Sequence, residues 1–516
     1  MSKNIVKFLP HIGLTLICTI VWYKTLNQSF LGEGFYYYNS LQKYFPHGIL
    51  NSIWEYDNFA KMFFAYTVPI LKDNIFIYQV IQLGTVIALT ITLFHFIKYF
   101  TKNSWIGFTG ATIFSASYLG LFEMIGVGNY QRFVQRIPNQ ILILFSFIEL
   151  ARFYETGKIK KYINSLILFA ISVFFAHFST FLLPIYIIYP IIKSFVNREK
   201  IIKFFINIAY SIPFVVINLF LISQDVHTPD GNFINFIKLN GLSKIISSIA
   251  LQLSNMLVPP FLIEKIASVT SSYKDILIVL TVPIVALFLL GIFIVKNKQK
   301  KFLTIYLSSM VAIPVLLFLN LYLGKIDPLY NMRGYTYYFL PNVYSQDPSL
   351  TATLKGDRSY MLPYLFLAII ISILIYVLFI NFKNMYKIFS VAFITVYVLY
   401  NASLVWINID KIQPASEDMK KYLSYIKYIL PKLNNQSFII VPREFLWPSS
   451  LIRQVYNLPQ IQFIANYTNW KETITNIDKK NIVLIDFYYS HTADGKLDPA
   501  NNHIVTPTSD IPSLQQ

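Results

Sequence analysis

The stretch 75–97, IFIYQVIQLGTVIALTITLFHFI, carries no Asp, Glu, Lys or Arg. A helix rises 1.5 Å per residue, and about 20 apolar residues cross the ~30 Å hydrocarbon layer of a bilayer. This run is therefore expected to span a membrane. It is not isolated. Apolar stretches of the same kind occur at 5–23, 104–122, 138–154, 162–177, 180–196, 201–222, 275–295, 302–323, 359–380 and 387–408. The pattern predicts an all-α polytopic membrane protein of about 11 transmembrane helices.

Composition agrees. Of 516 residues, 55% are hydrophobic, 17% aromatic and 13% charged, against roughly 25% charged in a soluble domain. Mean hydropathy is +0.51. A soluble globular protein is excluded. The lone cysteine, Cys18, lies inside the first apolar run, so neither an intrachain disulfide nor a Cys-based metal site is available. That run has no small-x-small cleavage signal and reads as a retained signal-anchor.

The formal charge of +18 first suggests an anionic partner. Sorting it by loop changes that reading. The segments 1–7, 98–103, 152–161, 193–203, 296–301 and 383–387 hold 18 of the 43 Lys+Arg and only two acids, Glu155 and Glu199. Basic residues collect on the cytoplasmic side, so these are expected to be inner turns, with the N-terminus cytoplasmic and the C-terminus extracytoplasmic. The remainder is nearly neutral. Nucleic acid has no support from the charge, and the expected location is a bacterial plasma (inner) membrane. Residues 245–266 stay outside the alternation. Their Pro259-Pro260 pair favours a helix in, or dipping into, the outer interface.

The expected domains are a transmembrane unit, 1–408, and a C-terminal extracytoplasmic segment, 409–516. The first has long outer loops at 24–74, 123–137, 223–274 and 324–358. In the second, short apolar runs at 437–441, 460–464 and 481–487 alternate with helix-compatible sequence, which predicts a small α/β domain. Residues 415–430 read as an amphipathic connecting helix ended by Pro431, and the tail after Ser490 is polar. No fixed-period repeat, P-loop, G-x-G-x-x-G, H-E-x-x-H or G-x-S-x-G motif occurs. Asn27, Asn401, Asn435 and Asn466 each head an N-x-S/T triplet, a pattern common by chance.

Candidate chemistry lies in the outer loops. The first contains Leu31-Gly32-Glu33-Gly34-Phe35-Tyr36-Tyr37-Tyr38, a carboxylate between glycines followed by rings. Glu33 could act as a base on a hydroxyl while Tyr36 stacks on a sugar; a headgroup-level aromatic belt is the alternative. Further on, Trp54-Glu55-Tyr56-Asp57 offers Asp57 as an oxygen ligand or as a solvated acid. In the second loop Glu123 is followed by Arg132 and Arg136, four apart and suited either to a phosphate or to snorkelling. His177, in Ala176-His177-Phe178-Ser179-Thr180, could bond a substrate or simply end a helix. The fourth loop supplies Arg333, and Asp357-Arg358-Ser359-Tyr360-Met361-Leu362-Pro363-Tyr364 leads into a span. Arg358 there suits a lipid-linked phosphate, and Asp357 suits a cap.

Taken together, Glu33 in its Gly-Glu-Gly-Phe-Tyr setting, the His177 turn and the Asp357–Tyr364 stretch resemble the GT-C superfamily of integral-membrane glycosyltransferases. That superfamily includes protein O-mannosyltransferases, the aminoarabinose transferase of lipid A and oligosaccharyltransferase subunits. The Arg358 stretch is similar to an Arg-x-x-Tyr-Leu-Pro element of some members. The resemblance implies transfer of a sugar from a polyprenyl-phosphate donor to an acceptor glycan, lipid or protein on the outer side. It implies Glu33 as base, Arg358 with Arg333, Arg132 or Arg136 on phosphate, and His177 as a positioning group. Many members have Asp where this chain has Glu33, and Glu123 stands without a second acid. No cofactor is fixed by these residues, although a divalent cation is compatible with them. A flippase for lipid-linked saccharides and a non-catalytic scaffold are the competing classes; few charges fall at mid-membrane depth, which disfavours an ion-coupled carrier.

Overall fold

Helix α1 (Lys3–Trp22) contains Pro10 and tightens into a 3-10 turn over Tyr23–Asn27. Helix α2 (Ile75–Thr101) begins where the Asn74 side chain accepts the N–H of Ile77. It ends at Lys102, which adopts the left-handed conformation (φ 53°) and donates its N–H to Lys98 O at 2.8 Å. Asn103 then caps α3 (Ser104–Ser115), accepting from Trp105 N (2.8 Å) and Ile106 N (3.2 Å). Two residues thus stop one helix and start the next, because every orphaned terminal group needs a partner.

The computed structural model that shows this describes residues 3–29, 74–117, 137–175, 182–222, 241–258, 273–296, 300–322, 361–379 and 383–429. Beyond these it describes short strands after 437, and isolated positions between 63 and 71, at 237–238 and between 262 and 270. The next turns repeat the logic. Between α4 (Ile137–Thr156) and α5 (Ile159–Phe175), Gly157 takes φ +68°, which glycine adopts without strain. Between α6 (Leu183–Asn197) and α7 (Ile201–Ala209), Arg198 is left-handed at φ 53°. The expected span 201–222 breaks at Tyr210-Ser211, ahead of α8 (Ile212–Ile222). Pro213 has no N–H to bond back to Ala209, and Ser211 Oγ donates instead to Tyr186 O at 2.9 Å.

The 245–266 stretch forms α9 (Leu242–Leu257), which is 16 residues long and ends just before Pro259. It packs on α10 (Tyr273–Lys296) and α11 (Lys300–Tyr322). Helices α12 (Met361–Phe379) and α13 (Lys383–Ile429) complete the helical set. Each of the eleven apolar stretches carries a helix. Among the described residues six helical stretches are long and apolar enough to cross a membrane: Phe8–Asn27, Ile75–Thr101, Ile201–Phe220, Asp275–Lys296, Lys300–Leu319 and Ile388–Ile407. The chain is an integral membrane protein. Its other helices are shorter or, like α4 with Glu149, Arg152 and Glu155, charged near one end.

Helix α12 is the hub. It is apolar all round, Leu362 through Ile370 are buried without interruption, and it packs on α3, α10, α11 and α13. Close approach depends on missing side chains: a Cβ on Gly110 of α3 would lie 2.5 Å from Ile97 Cδ1 and 3.0 Å from Ser372 Oγ of α12. By contrast, α1 and α10 leave Phe8, Ile12, Leu16, Val279, Leu290 and Phe293 exposed, as a lipid-facing surface requires.

Helix α13 departs from expectation. A span at 387–408 and a separate helix at 415–430 are in fact one helix of 47 residues, about 70 Å long at 1.5 Å per residue. After it, β1 (Phe438–Val441) lies between β2 (Gln462–Ala465) and β3 (Ile482–Leu484), parallel to both, with Phe438 opposite Gln462 and Ile482. A second pair, β4 (Asp486–Phe487) and β5 (Ile504–Val505), is antiparallel. The sequence between these strands lies outside the described residues.

Candidate functional site

Glu33, Tyr36, Asp57, Arg132, Arg136, His177, Arg333 and Arg358 all lie outside the described residues, as do Glu123 and Asp357. The geometry on which these residues border is described. Call the end of the bundle with the turns at Lys102, Gly157 and Arg198 the short-turn end, and the opposite end the long-loop end.

At the long-loop end, α4, α6 and α12 begin at Ile137, Leu183 and Met361. With α2 they enclose an apolar pocket. Gln140, Leu182 and Leu362 line it near the helix starts; Phe96, Phe147 and Tyr186 line it deeper in the bundle. The deep rings lock one another: Phe147 meets Tyr186 at 5.7 Å edge-on and Phe96 at 5.8 Å. Tyr186 donates its hydroxyl to Ile143 O at 3.4 Å. Gln140 is 2% exposed, and its Oε1 accepts no hydrogen bond. The space between these side chains is small, about 20 Å³, room for a water-sized group beside the Gln140 oxygen.

Beside this pocket the start of the first long loop is fastened to the part of α13 beyond residue 408. Lys24 Nζ reaches both carboxylate oxygens of Asp410 at 2.7 Å. Gln28 Nε2 donates to Gln413 Oε1, Ser29 N to Ser416 Oγ at 2.5 Å, and Lys420 Nζ to Asn27 O. Positions 410, 413, 416 and 420 share one helix face. Gln79 of α2 adds a donation from Nε2 to Gln28 O at 3.2 Å, and Trp22 Nε1 bonds Ser115 O at 2.8 Å. These contacts explain why α13 continues unbroken: the 3-10 turn supplies partners along its length.

The short-turn end is ionic. Glu149 pairs with Arg152 and, at 2.9 Å, with Lys161; Glu155 pairs with Lys301 at 2.7 Å. Glu199, whose side chain is 8% exposed, faces Lys203 at 3.2 Å and Lys193 at 3.7 Å. It also accepts from Ser194 Oγ at 2.9 Å and Asn207 Nδ2 at 2.5 Å. Burial opposes its ionisation, but the Ser194 hydroxyl and the two lysines outweigh this and hold the carboxyl below its usual range. His11 and His95 meet there through their Nε2 atoms at 2.9 Å. Among the described residues no group of three or more His, Cys, Asp or Glu could hold a metal ion.

Gln28, Gln79, Gln140 and Gln413 carry no charge and do not stand out in the sequence as candidate chemistry. The available signal was an amide in or beside an apolar run, where a buried polar group must find a partner.

No family model matches the sequence, and no curated protein does. Solved structures resemble the fold. The Archaeoglobus fulgidus oligosaccharyltransferase, crystallised with Zn and sulfate, aligns with TM-score 0.45 and 11% identity over 89% of this chain and 62% of that one, so this chain spans under two thirds of its length. The same organism's oligosaccharyltransferase AglB, in complex with an inhibitory peptide and a dolichol-phosphate, gives TM-score 0.43 and 12% identity over 97% and 75%. ArnT from Cupriavidus metallidurans, bound to undecaprenyl phosphate, gives 0.42 and 9% over 96% and 97%.

Proposed function

We propose that this chain is a membrane glycosyltransferase that moves a sugar from a polyprenyl-phosphate donor to an acceptor glycan, lipid or protein at its long-loop end. The observation that carries the reading is the meeting of three helix starts, those of α4, α6 and α12, around the small apolar pocket. Three candidate groups precede its walls in the chain: Arg136 is one residue before Ile137, His177 five before Leu182, and Arg358 four before Leu362. At a maximum of about 3.6 Å per residue the chain keeps these Cα atoms within roughly 18 Å of the helix starts. Basic residues that shortly precede three helix starts at one end of an apolar bundle suit the head of a lipid phosphate.

In the reaction, the acceptor oxygen attacks the anomeric carbon as the bond to the donor phosphate oxygen breaks. Glu33 takes the hydroxyl proton, and the departing phosphate keeps the bonding electrons. Arg358, with Arg333, Arg132 and Arg136, stabilises that charge. His177 orients the phosphate or sugar, Tyr36 stacks on the sugar ring, and Gln140 Oε1 accepts from the donor's head. Asp57 is available to a divalent cation. The reading includes about eleven spans, a cytoplasmic N-terminus in a plasma membrane, and an extracytoplasmic α/β domain after residue 408.

The test is transfer by purified protein supplied with polyprenyl-phosphate sugars, wild type against Glu33→Gln. The expected loss is about 10²–10⁴-fold. Equal rates would reject Glu33 as the base, and no turnover with any donor would reject the function.

A further inference from the structure

The bases of the short-turn end fall into two groups. Lys161, Lys193, Lys203 and Lys301 each face a glutamate. Lys98 and Lys102, at the end of α2, are both exposed and pair with no carboxylate among the described residues. Their contacts are aromatic instead. Lys98 Nζ lies 5.5 Å over the Phe94 ring, and Lys102 Nζ lies 4.4 Å over Tyr99. Arg152 of α4 approaches the same Tyr99 ring, with its guanidinium carbon 5.4 Å from the centroid. One ring thus gathers cations from two helices to within about 10 Å of each other. Arg152 gives one N–H to Glu149, which Lys161 also serves. A ring face attracts a cation but offers no lone pair, so the three donors of the Lys102 ammonium still lack an acceptor among the described residues.

We infer that Lys102 and Arg152, gathered at Tyr99, bind the phosphate headgroup of an anionic phospholipid in the adjoining leaflet. Charge selects the chemistry: phosphate oxygens accept only, and they suit both a point charge and a planar fork. Location selects the lipid. Trp105, three residues after Lys102 on α3, is 41% exposed, and Ile159, at the start of α5, is 58% exposed. Apolar side chains this exposed beside basic ones mark the level at which acyl chains give way to headgroups, where tryptophan anchors and lysine stems snorkel. A basic site between helices at that depth fits a lipid phosphate, with the acyl chains lying along the apolar surface beside it. Lys102 closes the turn between α2 and α3, and Arg152 belongs to α4, so one headgroup clamps the turn to a third helix from outside the ion pairs. Its effect falls on stability, and the inference is independent of the transfer reaction.

The test unfolds the full-length protein thermally in nanodiscs of phosphatidylcholine to which phosphatidylglycerol is added in steps, at constant ionic strength. Expected is a rise in Tm that saturates with the phosphatidylglycerol fraction, as binding to the folded state requires. Lys102→Gln should shift the midpoint of that rise about tenfold, the loss of one charge-assisted hydrogen bond, and Lys102→Arg should restore it. Arg152→Gln should weaken it similarly, with Lys161 still on Glu149. Lys160→Gln is the control: it removes the same charge from an exposed base at the same end that has no contact with Tyr99, and it should leave the midpoint in place. Inorganic phosphate added to protein in phosphatidylcholine alone should not reproduce the rise. Equal Tm at every phosphatidylglycerol fraction, or the full rise with inorganic phosphate, would overturn the inference. So would equal shifts in Lys102→Gln and Lys160→Gln, which would assign the effect to diffuse charge.

Discussion

The two ends of the bundle solve the same problem in opposite ways. At the short-turn end Glu149, Glu155 and Glu199 each pair with a base, and the turns at Lys102, Gly157 and Arg198 are two or three residues long, each with a left-handed residue. At the long-loop end Gln28, Gln79 and Gln140 are buried neutral amides, each with an oxygen that has no hydrogen-bond partner. Buried polar groups without partners lower stability, and are retained where a ligand supplies what is missing. The contrast teaches that charge pairs hold the short-turn end, whereas the long-loop end is joined through neutral amides, and we read the latter as the binding end.

The largest effect should come from Glu199→Ala. It would strand Lys193, Lys203, Ser194 and Asn207 around a space left by a nearly buried carboxylate. Breaking such a cluster from one side costs about 3–5 kcal/mol, read as a large drop in Tm, while transfer per folded molecule stays unchanged. The pH dependence carries a sign. The folded-state pKa of Glu199 is depressed, so its stabilisation is present above the unfolded value of about 4.3 and is lost as pH falls through the lower folded value. Wild type should lose stability in that acid range more steeply than Glu199→Ala. A parallel acid profile would mean that the cluster is not what secures this end.

Gln140→Leu should move the other way. Replacing an unsatisfied buried amide by a side chain of similar size gains about 1 kcal/mol in stability. Transfer should fall about tenfold, equivalent to the loss of one hydrogen bond of roughly 1.4 kcal/mol. Gain in one property with loss in the other is the signature of a binding residue. If Tm and activity both fell, the pocket would be ordinary core.

Much of this was legible in the sequence, and the reasons are physical. Unbroken apolar length located helices at 75–97 and 275–295 because solvation by lipid permits little else. The inner turn within 98–103 stands out in the sequence by Lys98 and Lys102 between two apolar runs. The break at Tyr210-Ser211 could have been read from Pro213, but the run of apolar residues across it concealed the signal. The continuity of α13 was not legible, because it depends on Asp410, Gln413, Ser416 and Lys420 meeting residues nearly 390 positions earlier. Charge singles out Glu33, Arg358 and their companions, which lie outside the described residues, whereas the glutamines carry no such mark, since an amide declares itself only once its neighbours are known.

The smallest effect is expected from Lys24→Met. The Lys24–Asp410 pair has good geometry, with both oxygens at 2.7 Å, but the Asp410 side chain is 61% exposed. Water and salt screen such a pair, and its contribution is about 0–1 kcal/mol. The neighbouring joints through Gln28, Ser29 and Lys420 remain, so Tm should shift within about 1 kcal/mol of wild type while amide exchange at Tyr23–Ser29 quickens modestly. The value of so small a prediction lies in what would break it. A destabilisation as large as that of Glu199→Ala would make the fastening of α1 to α13 a structural keystone, and the division between a bracing end and a binding end would fail. A small shift combined with faster exchange would make the Lys24–Asp410 pair a weak joint in the segment that leads along the chain to Glu33.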